Sequence, residues 1–153
     1  MLRYNRLPYP VFGDTLITGS LSSRSNKYAQ VYATSFGWTR AHPIQQKSDA
    51  HETLSTVFNR DGVPSTMIMD NSKEQILGTF KKKLKEADCH LKSIEPYSPW
   101  QNTAEGAIRE LKKGSSRQMI KTGSPKKLWD YSLELQALIR SHTSNGSHVR
   151  DGE

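Results

Sequence analysis

Three carboxylates stand where acidic side chains could act together. Asp14 is the only Asp or Glu before Asp49 and lies inside the apolar segment PVFGDTLIT, residues 10–18. Asp70 follows the apolar segment STMIM, and Glu105 lies near the start of an Ala- and Lys-containing segment. Carboxylates held together repel one another unless a divalent cation neutralises them, and hard oxygen ligands suit Mg²⁺. The three acids therefore indicate a Mg²⁺ (or Mn²⁺) site if the fold brings them together.

Each acid also has a plain structural explanation. Asp70 can cap the turn DNSKE, and Glu105 can interact with the positive amino-terminal end of a helix. This explanation is weakest for Asp14, because a charge in the middle of a half-buried strand is costly unless it is compensated. The order of the three acids, on a strand, a strand and a helix, favours a shared site.

Alternation and helical periodicity predict the elements that carry these acids. Strands are predicted at residues 10–18, 27–35, 38–45, 65–70 and 89–96, and the first three form an antiparallel meander. Helices are predicted at residues 48–62, at 76–87, from near Asn102 to about 120, and at 126–142, and YSPWQN is predicted as a loop. The order βββαβαβαα predicts an α/β domain with a five-stranded mixed sheet flanked by helices.

The carboxyl ends of strands are where open α/β sheets bind ligands. If the first and fourth strands lie side by side, Asp14 and Asp70 converge at that edge. Glu105, on the helix after the fifth strand, can then project over the same place.

Positive charge is concentrated in one part of the chain. The protein has 153 residues and a net charge of +7. Residues 71–127 hold 13 Lys and Arg against 6 acids, which accounts for the whole excess. This concentration favours a surface that meets a polyanion such as DNA. A solvated face that promotes solubility is the alternative.

Composition excludes several other classes of protein. A single cysteine, Cys89, excludes an internal disulfide, and five scattered histidines form no zinc pattern. No apolar run is long enough to span a membrane and the amino terminus resembles no signal peptide, so we expect an intracellular protein with no membrane partner. One domain is expected at residues 8–142, with flexible termini at 1–7 and 143–153.

Two segments resemble a known family. The segment DGVPSTMIMDN, which contains Asp70, and the segment EPYSPWQNTAE, which ends at Glu105, are similar to motifs of retroviral and retrotransposon integrase catalytic cores. The second segment looks like the family's PY-x-P-Q-x-N-G run, which ends in the catalytic Glu, and is the more specific. The likeness covers most of the chain and is greatest for the Ty1/copia class. It implies a ribonuclease H-like fold and an Asp, Asp, Glu catalytic triad.

Position by position, the resemblance assigns the triad and metal ligands to Asp14, Asp70 and Glu105. It implies two Mg²⁺ (or Mn²⁺) ions and DNA end cleavage and strand transfer, without a covalent enzyme intermediate. It also implies a set of DNA-binding residues: Lys73, Trp100, Gln101, Asn102, Arg109, Lys112 and Lys113.

Some of these residues have alternatives. Arg109 can instead pair with Glu105 one helical turn away, and Trp100 can pack against the sheet edge. Asp70 and Glu105 are separated by 34 residues, one fewer than is usual in the family. Glu110 is a poor substitute for Glu105, because five helical residues turn it about 140° away.

The resemblance also sets expectations for the whole protein. The family's amino-terminal zinc module and carboxyl-terminal extension are not in the sequence, so we expect an isolated or truncated core. We further expect at least a homodimer, DNA as the partner, and location in the nucleus or in a cytoplasmic particle of the element. Two other functions stay open: a catalytically inactive, integrase-derived DNA-binding or assembly module, and a ribonuclease H-type nuclease of RNA–DNA hybrids.

Overall fold

The computed structural model describes residues 5–17, 21–34, 37–69, 74–93 and 99–151, with the backbone alone at residues 47, 74–77, 93, 99–105 and 143–151. The strands are β1 (Arg6–Leu7), β2 (Val11–Ile17), β3 (Tyr28–Ala33), β4 (Thr39–Ile44), β5 (Val63–Pro64), β6 (Thr66–Met69) and β7 (His90–Ser93). The helices are α1 (Ala50–Arg60), α2 (Glu74–Glu86), α3 (Pro99–Thr122) and α4 (Trp129–Asp151), with short 3₁₀ turns at Lys47–Asp49 and Lys126–Leu128.

Five strands form one mixed sheet in the order β4-β3-β2-β6-β7. β2, β3 and β4 are an antiparallel meander, while β6 runs parallel to β2 and β7 parallel to β6. The predicted α/β class and the order βββαβαβαα are confirmed. The short parallel pair of β1 with β5 is an addition that the sequence did not predict.

Helices cover both faces of this sheet. Successive residues of a strand point to opposite faces, so β2 contributes Val11 to one core and Leu16 to the other. The first core contains side chains of α1 and α2, including Leu54 and Phe80. The second core lies between the sheet and helices α3 and α4. It is made of these residues: Leu16, Ala29, Val31, Ala41, Ile108, Leu111, Leu133 and Ala137. Full burial of a Leu, Val or Phe side chain contributes roughly 1.5–3 kcal/mol, so these two cores hold the layers together.

Several element ends differ from the prediction. α3 begins at Pro99 rather than near Asn102, because proline suits the first turn of a helix, where its missing N–H needs no partner. Arg6 and Leu7, within the amino-terminal segment predicted to be flexible, form β1 beside β5. α4 begins at Trp129, after the 3₁₀ turn, and its backbone continues to Asp151.

Gly62 explains how the chain leaves α1 and meets β1. Its φ is 120°, a conformation that L side chains rarely adopt, and a Cβ there would lie 2.7 Å from the Asn5 carbonyl oxygen. The tight turn lets Val63 N donate to the same oxygen of Asn5 at 2.7 Å. The predicted end of the first long helix at Gly62 is therefore close to the observed end at Arg60.

Candidate active site

Asp14 lies at the centre of the sheet, on the face covered by α3 and α4. It pairs with Val31 of β3 and lies between Phe12 and Leu16 on the same face of β2. The side chain is half-buried, and its Oδ1 accepts a hydrogen bond from Thr15 N at 2.8 Å. The predicted strand position of Asp14 is confirmed. Asp14 lies on a central strand beside a parallel strand, and open α/β sheets bind ligands at the carboxyl ends of such strands.

The strand that leads to Asp70 is the parallel neighbour of β2. Val11 pairs with Met67 and Phe12 with Ile68. A Cβ built on Gly13 would lie 3.4 Å from the Met69 side chain, so residue 13 is level with the last residue of β6. Asp14 is thus one residue beyond that level, at the carboxyl end of β6. Asp70, the next residue of the chain after Met69, lies outside the described residues.

α3 crosses the same face of the sheet as Asp14. Ile108 and Leu111 of α3 are buried with Leu16 of β2 and Val31 of β3. The backbone of Glu105 is part of α3, and Glu105 precedes Ile108 by three residues, about one helical turn. The side chain of Glu105 lies outside the described part of the chain, so no distance joins it to Asp14.

The predicted loop before α3 is corrected over its last residues. Trp100, Gln101 and Asn102 form the first turn of α3, directly after Pro99, rather than a loop. Their side chains are outside the described set, and so are residues 94–98. Glu105 consequently lies in the second turn of its helix, farther from the amino-terminal end than the sequence predicted. The interaction of Glu105 with the helix terminus loses weight as an explanation, since that effect fades within the first turn.

The exposed side of α3 is basic. Arg109, Lys112 and Lys113 are exposed to solvent, as are Arg117 and Lys121 farther along the helix. Arg109 and Lys113 are one helical turn apart and present positive charge on the same side. Lys73, the remaining predicted phosphate-binding residue, lies outside the described residues.

The described side chains do not by themselves form a candidate metal site. Within them, no group of three or more His, Cys, Asp and Glu is close enough to hold an ion. Of the proposed ligands only Asp14 belongs to this set. A carboxylate at the carboxyl end of β6 is nevertheless the type of oxygen donor that Mg²⁺ and Mn²⁺ accept.

Sequence reasoning missed a polar cluster that holds α4 in place. Asp130 is fully buried and accepts hydrogen bonds from Arg24 Nε at 2.8 Å and from Asn26 Nδ2 at 3.0 Å. Burial alone would raise the pKa of the Asp130 carboxyl, but hydrogen bonds from Arg24, Asn26 and Ser22 outweigh it and leave the pKa below its ordinary value. Arg24 also stacks over the Tyr131 ring, 3.8 Å from its centroid. The cluster ties the loop between β2 and β3 to the start of α4.

A signal for this cluster exists in the sequence. Asp130 shares one helical stripe with Leu133 and Ala137, so it is an acid on an otherwise apolar face. A buried carboxylate requires a charged or hydrogen-bonding partner. The partner, Arg24, is 106 residues away along the chain, and only the tertiary structure identifies it.

Comparison with solved structures identifies the fold of this chain. No family model matches the chain, and no curated protein matches it. Among the solved structures that resemble it is the crystal structure of the catalytic core domain of BIV integrase, with 16% identity, a TM-score of 0.65 and coverage of 85% of this chain and 81% of that chain. Another is a cryo-EM structure of the simian T-cell lymphotropic virus intasome in complex with PP2A regulatory subunit B56 gamma, with 19% identity and a TM-score of 0.67. The match covers 90% of this chain and 50% of that chain, so this chain spans half the intasome chain's length.

These neighbours establish the fold. The five-stranded mixed sheet flanked by helices is that of the integrase catalytic core, a ribonuclease H-like fold. At these identities the likeness concerns architecture, and function has to be argued from the residues of this chain. Among the described residues, no helix is long and apolar enough to cross a membrane.

Proposed function

We propose that the chain is a retrotransposon integrase core of the Ty1/copia type, which catalyses metal-dependent phosphoryl transfer on DNA. Its reactions would be cleavage at the element's DNA ends and strand transfer into a target duplex. The proposal includes Asp14, Asp70 and Glu105 as the catalytic triad, although only Asp14 has a described side chain.

One observation carries the proposal: the parallel pairing of β2 with β6. It brings Asp14 to the carboxyl end of the strand that leads to Asp70, on the face of the sheet that α3 covers. Glu105 precedes the buried Ile108 of α3 by about one helical turn, which supports its inclusion in the same site. This arrangement supports a shared site for acids that lie far apart in the sequence, which a capping role for each acid separately would not require.

The donor set fits divalent metal ions. Asp14, Asp70 and Glu105 would hold two Mg²⁺ or Mn²⁺ ions through hard carboxylate oxygens. When bound, the ions would supply Lewis-acid activation of the attacking hydroxyl and stabilisation of the leaving oxygen. The protein's own contribution is to hold Asp14 on a rigid central strand, with its Oδ1 oriented by Thr15 N.

DNA would bind along the exposed side of α3. Arg109, Lys112 and Lys113 are exposed there and suit phosphate contacts that position the duplex without reading its sequence. The proposed surface also includes Trp100, Gln101 and Asn102, in the first turn of α3, and Lys73, which follows Asp70 by three residues in the sequence. The whole excess of positive charge lies within residues 71–127, which include α3.

Metal binding by calorimetry tests the triad. Wild-type protein should bind Mn²⁺ or Mg²⁺, and Asp14→Asn or Asp70→Asn should abolish the binding heat because each removes a carboxylate ligand. Glu110→Gln is the matched control, since Glu110 is an exposed acid on the same helix as Glu105 and about 140° away from it. Absence of binding by folded wild-type protein, with DNA present, would contradict the metal site.

Plasmid nicking separates the proposal from the two other functions. Mn²⁺-dependent nicking of supercoiled DNA that Asp14→Asn abolishes is the expected result. Salt-sensitive DNA binding with no nicking would identify a non-catalytic module. Faster cleavage of RNA–DNA hybrid than of duplex DNA would identify a ribonuclease H-type enzyme instead.

A further inference from the structure

A second concave surface lies at the opposite end of the sheet from Asp14. This α2–β7 groove, of about 620 Å³, is formed by Lys81, Lys82, Leu84 and Lys85 of α2 together with Cys89 and Leu91. His90, also in its lining, pairs with Thr66 at the start of β6, whereas Asp14 lies beyond the end of that strand. The groove is therefore separate from the candidate active site.

The rim of the groove is positively charged. Lys81, Lys82 and Lys85 are exposed, and no ion pair with another described residue occupies them. The one acid in the lining, Asp88, is already paired, because Arg6 Nη2 lies 3.3 Å from its Oδ2. Arg6 also donates to the carbonyl oxygens of Ala87 and Asp88 at 2.7 and 2.8 Å. Arg6 thus offsets the negative end of α2 and leaves the three lysines as the net charge of the rim.

The floor of the groove is apolar and uncharged. Leu84 is 1% exposed and Cys89 6%, and Leu91 is partly buried beside them. Burial raises the pKa of the Cys89 thiol to about 11, so the thiol is neutral at physiological pH. An apolar floor below a cationic rim suits a ligand that has apolar side chains between acidic groups.

One wall of the groove is the edge of the sheet. β7 is the last strand in the order and pairs with β6 alone among the described strands. His90 N donates to Ser65 O at 3.3 Å, and because backbone direction alternates along a strand, the N–H and C=O of Leu91 point away from β6. Such an edge can accept an added extended peptide.

We propose that the α2–β7 groove binds an extended acidic peptide of a partner protein, with alternate apolar side chains on the floor and carboxylates at the three lysines. A nucleic acid fits less well. Single strands bind through aromatic stacking platforms, and the groove's described lining contains no Phe, Tyr or Trp. Charge complementarity and the open strand edge favour a peptide.

A fluorescent octapeptide of alternating leucine and glutamate is the probe. Wild-type protein should bind it at least about tenfold more tightly than the matched peptides with alanine for leucine or lysine for glutamate. The double variant Lys82→Glu, Lys85→Glu should weaken binding about tenfold or more, because it reverses charge at the rim. Lys121→Glu, an exposed reversal on α3, should change it less than about twofold.

Amide shifts in NMR spectra locate the binding site. With the leucine–glutamate peptide, amide shifts should appear along residues 81–91, including Leu91. The thermal transition of the double variant Lys82→Glu, Lys85→Glu shows whether that variant is folded. Equal affinity for all three peptides, or shifts confined to another surface, would overturn the proposal. An oligonucleotide that displaces the peptide, and whose binding is weakened more than peptide binding by the charge-reversal variant, would overturn the proposal in favour of a nucleic-acid surface. Neither Lys82 nor Lys85 is among the residues proposed to bind metal or DNA.

Discussion

At the scale of single residues, buried polar groups make the stability of this protein sensitive to pH. His42 of β4 faces the core of α1, and its ring lies edge-on to the Tyr32 ring with the centroids 5.8 Å apart. Burial, together with the charges of Arg60 and Arg40, lowers the pKa of His42 to about 4, although Asp61 acts in the opposite direction. Among the described atoms, its Nε2 has no hydrogen-bond partner.

The sign of the resulting pH effect follows from proton linkage. The pKa of His42 is lower in the folded protein than its ordinary value of 6.5, so the unfolded chain takes up a proton first as the pH falls. The contribution of His42 to stability is complete above pH 6.5 and is lost progressively toward pH 4. Over this window the loss reaches about 3 kcal/mol.

Urea unfolding tests this effect. Between pH 7 and pH 5, wild-type protein should lose about 2 kcal/mol in the free energy of unfolding, and His42→Gln should lose clearly less because glutamine does not titrate. His142→Gln, which changes an exposed histidine of α4, should keep the wild-type slope. Equal slopes for His42→Gln and the wild type would show that His42 is not the responsible group.

The three proposed catalytic acids show how far residue-level prediction extends. Asp14 is predictable because its isolation in an apolar segment is a local feature, and its strand position is confirmed. Asp70 and Glu105 stay predictions, since the described side chains do not include them. Asp130 was missed because its partner Arg24 comes from a distant loop.

At the scale of elements, the pairing of α3 with α4 depends on close backbone approach. Gly114 of α3 faces Gln136 of α4, and a Cβ on it would lie 2.6 Å from Gln136 Oε1. Gln136 Nε2 donates a hydrogen bond to Gln118 Oε1 at 3.0 Å, and Ser115 Oγ donates one to Ser132 Oγ at 3.1 Å. Although glycine is a poor helix former, α3 continues through Gly114, where α4 packs against it.

Paired glycine substitutions measure this contact. Gly78→Ala on α2, where no described atom lies within 4 Å of the added Cβ, should stabilise the protein by about 0.5–1 kcal/mol through helix propensity. Gly114→Ala should be at least about 1 kcal/mol less favourable than Gly78→Ala, because Gln136 must move and give up a hydrogen bond.

A double-mutant cycle provides the control for Gly114. In a Gln136→Ala background the obstructing side chain is removed, so Gly114→Ala should regain most of the propensity gain. Thermal or urea unfolding gives each free energy. Equal effects of Gly114→Ala in both backgrounds would show that Gln136 does not limit the approach of the two helices.

At the scale of the whole molecule, the distribution of charge predicts how the proposed DNA binding should respond to salt. Two clusters of exposed basic residues lie on helices. Arg109, Lys112 and Lys113 are on α3 near the candidate site, and Lys81, Lys82 and Lys85 are on α2 beside the groove. Each phosphate contact contributes about 0.9 to the slope of log K against log salt concentration.

Two triple-alanine variants distinguish these surfaces. Replacing Arg109, Lys112 and Lys113 by alanine should weaken duplex binding and reduce the slope by about 2–3. Replacing Lys81, Lys82 and Lys85 by alanine removes the same amount of charge and should reduce the slope by less than about 1. Fluorescence anisotropy over a salt series measures both. Equal reductions would show that net charge, rather than the surface of α3, governs DNA binding.

The sequence by itself determined the local features of this protein: the α/β class, the order of strands and helices, the isolated acid in the first long strand and the basic segment. These features depend on hydrophobic periodicity and turn residues, which act over a few positions of the chain. Only the tertiary structure decided that β2 and β6 are neighbours, where α3 begins and which face of the sheet Asp14 shares with it. The physical reason is that strand register and helix packing depend on contacts between residues far apart in the chain, such as Val11 with Met67 and Leu16 with Leu111.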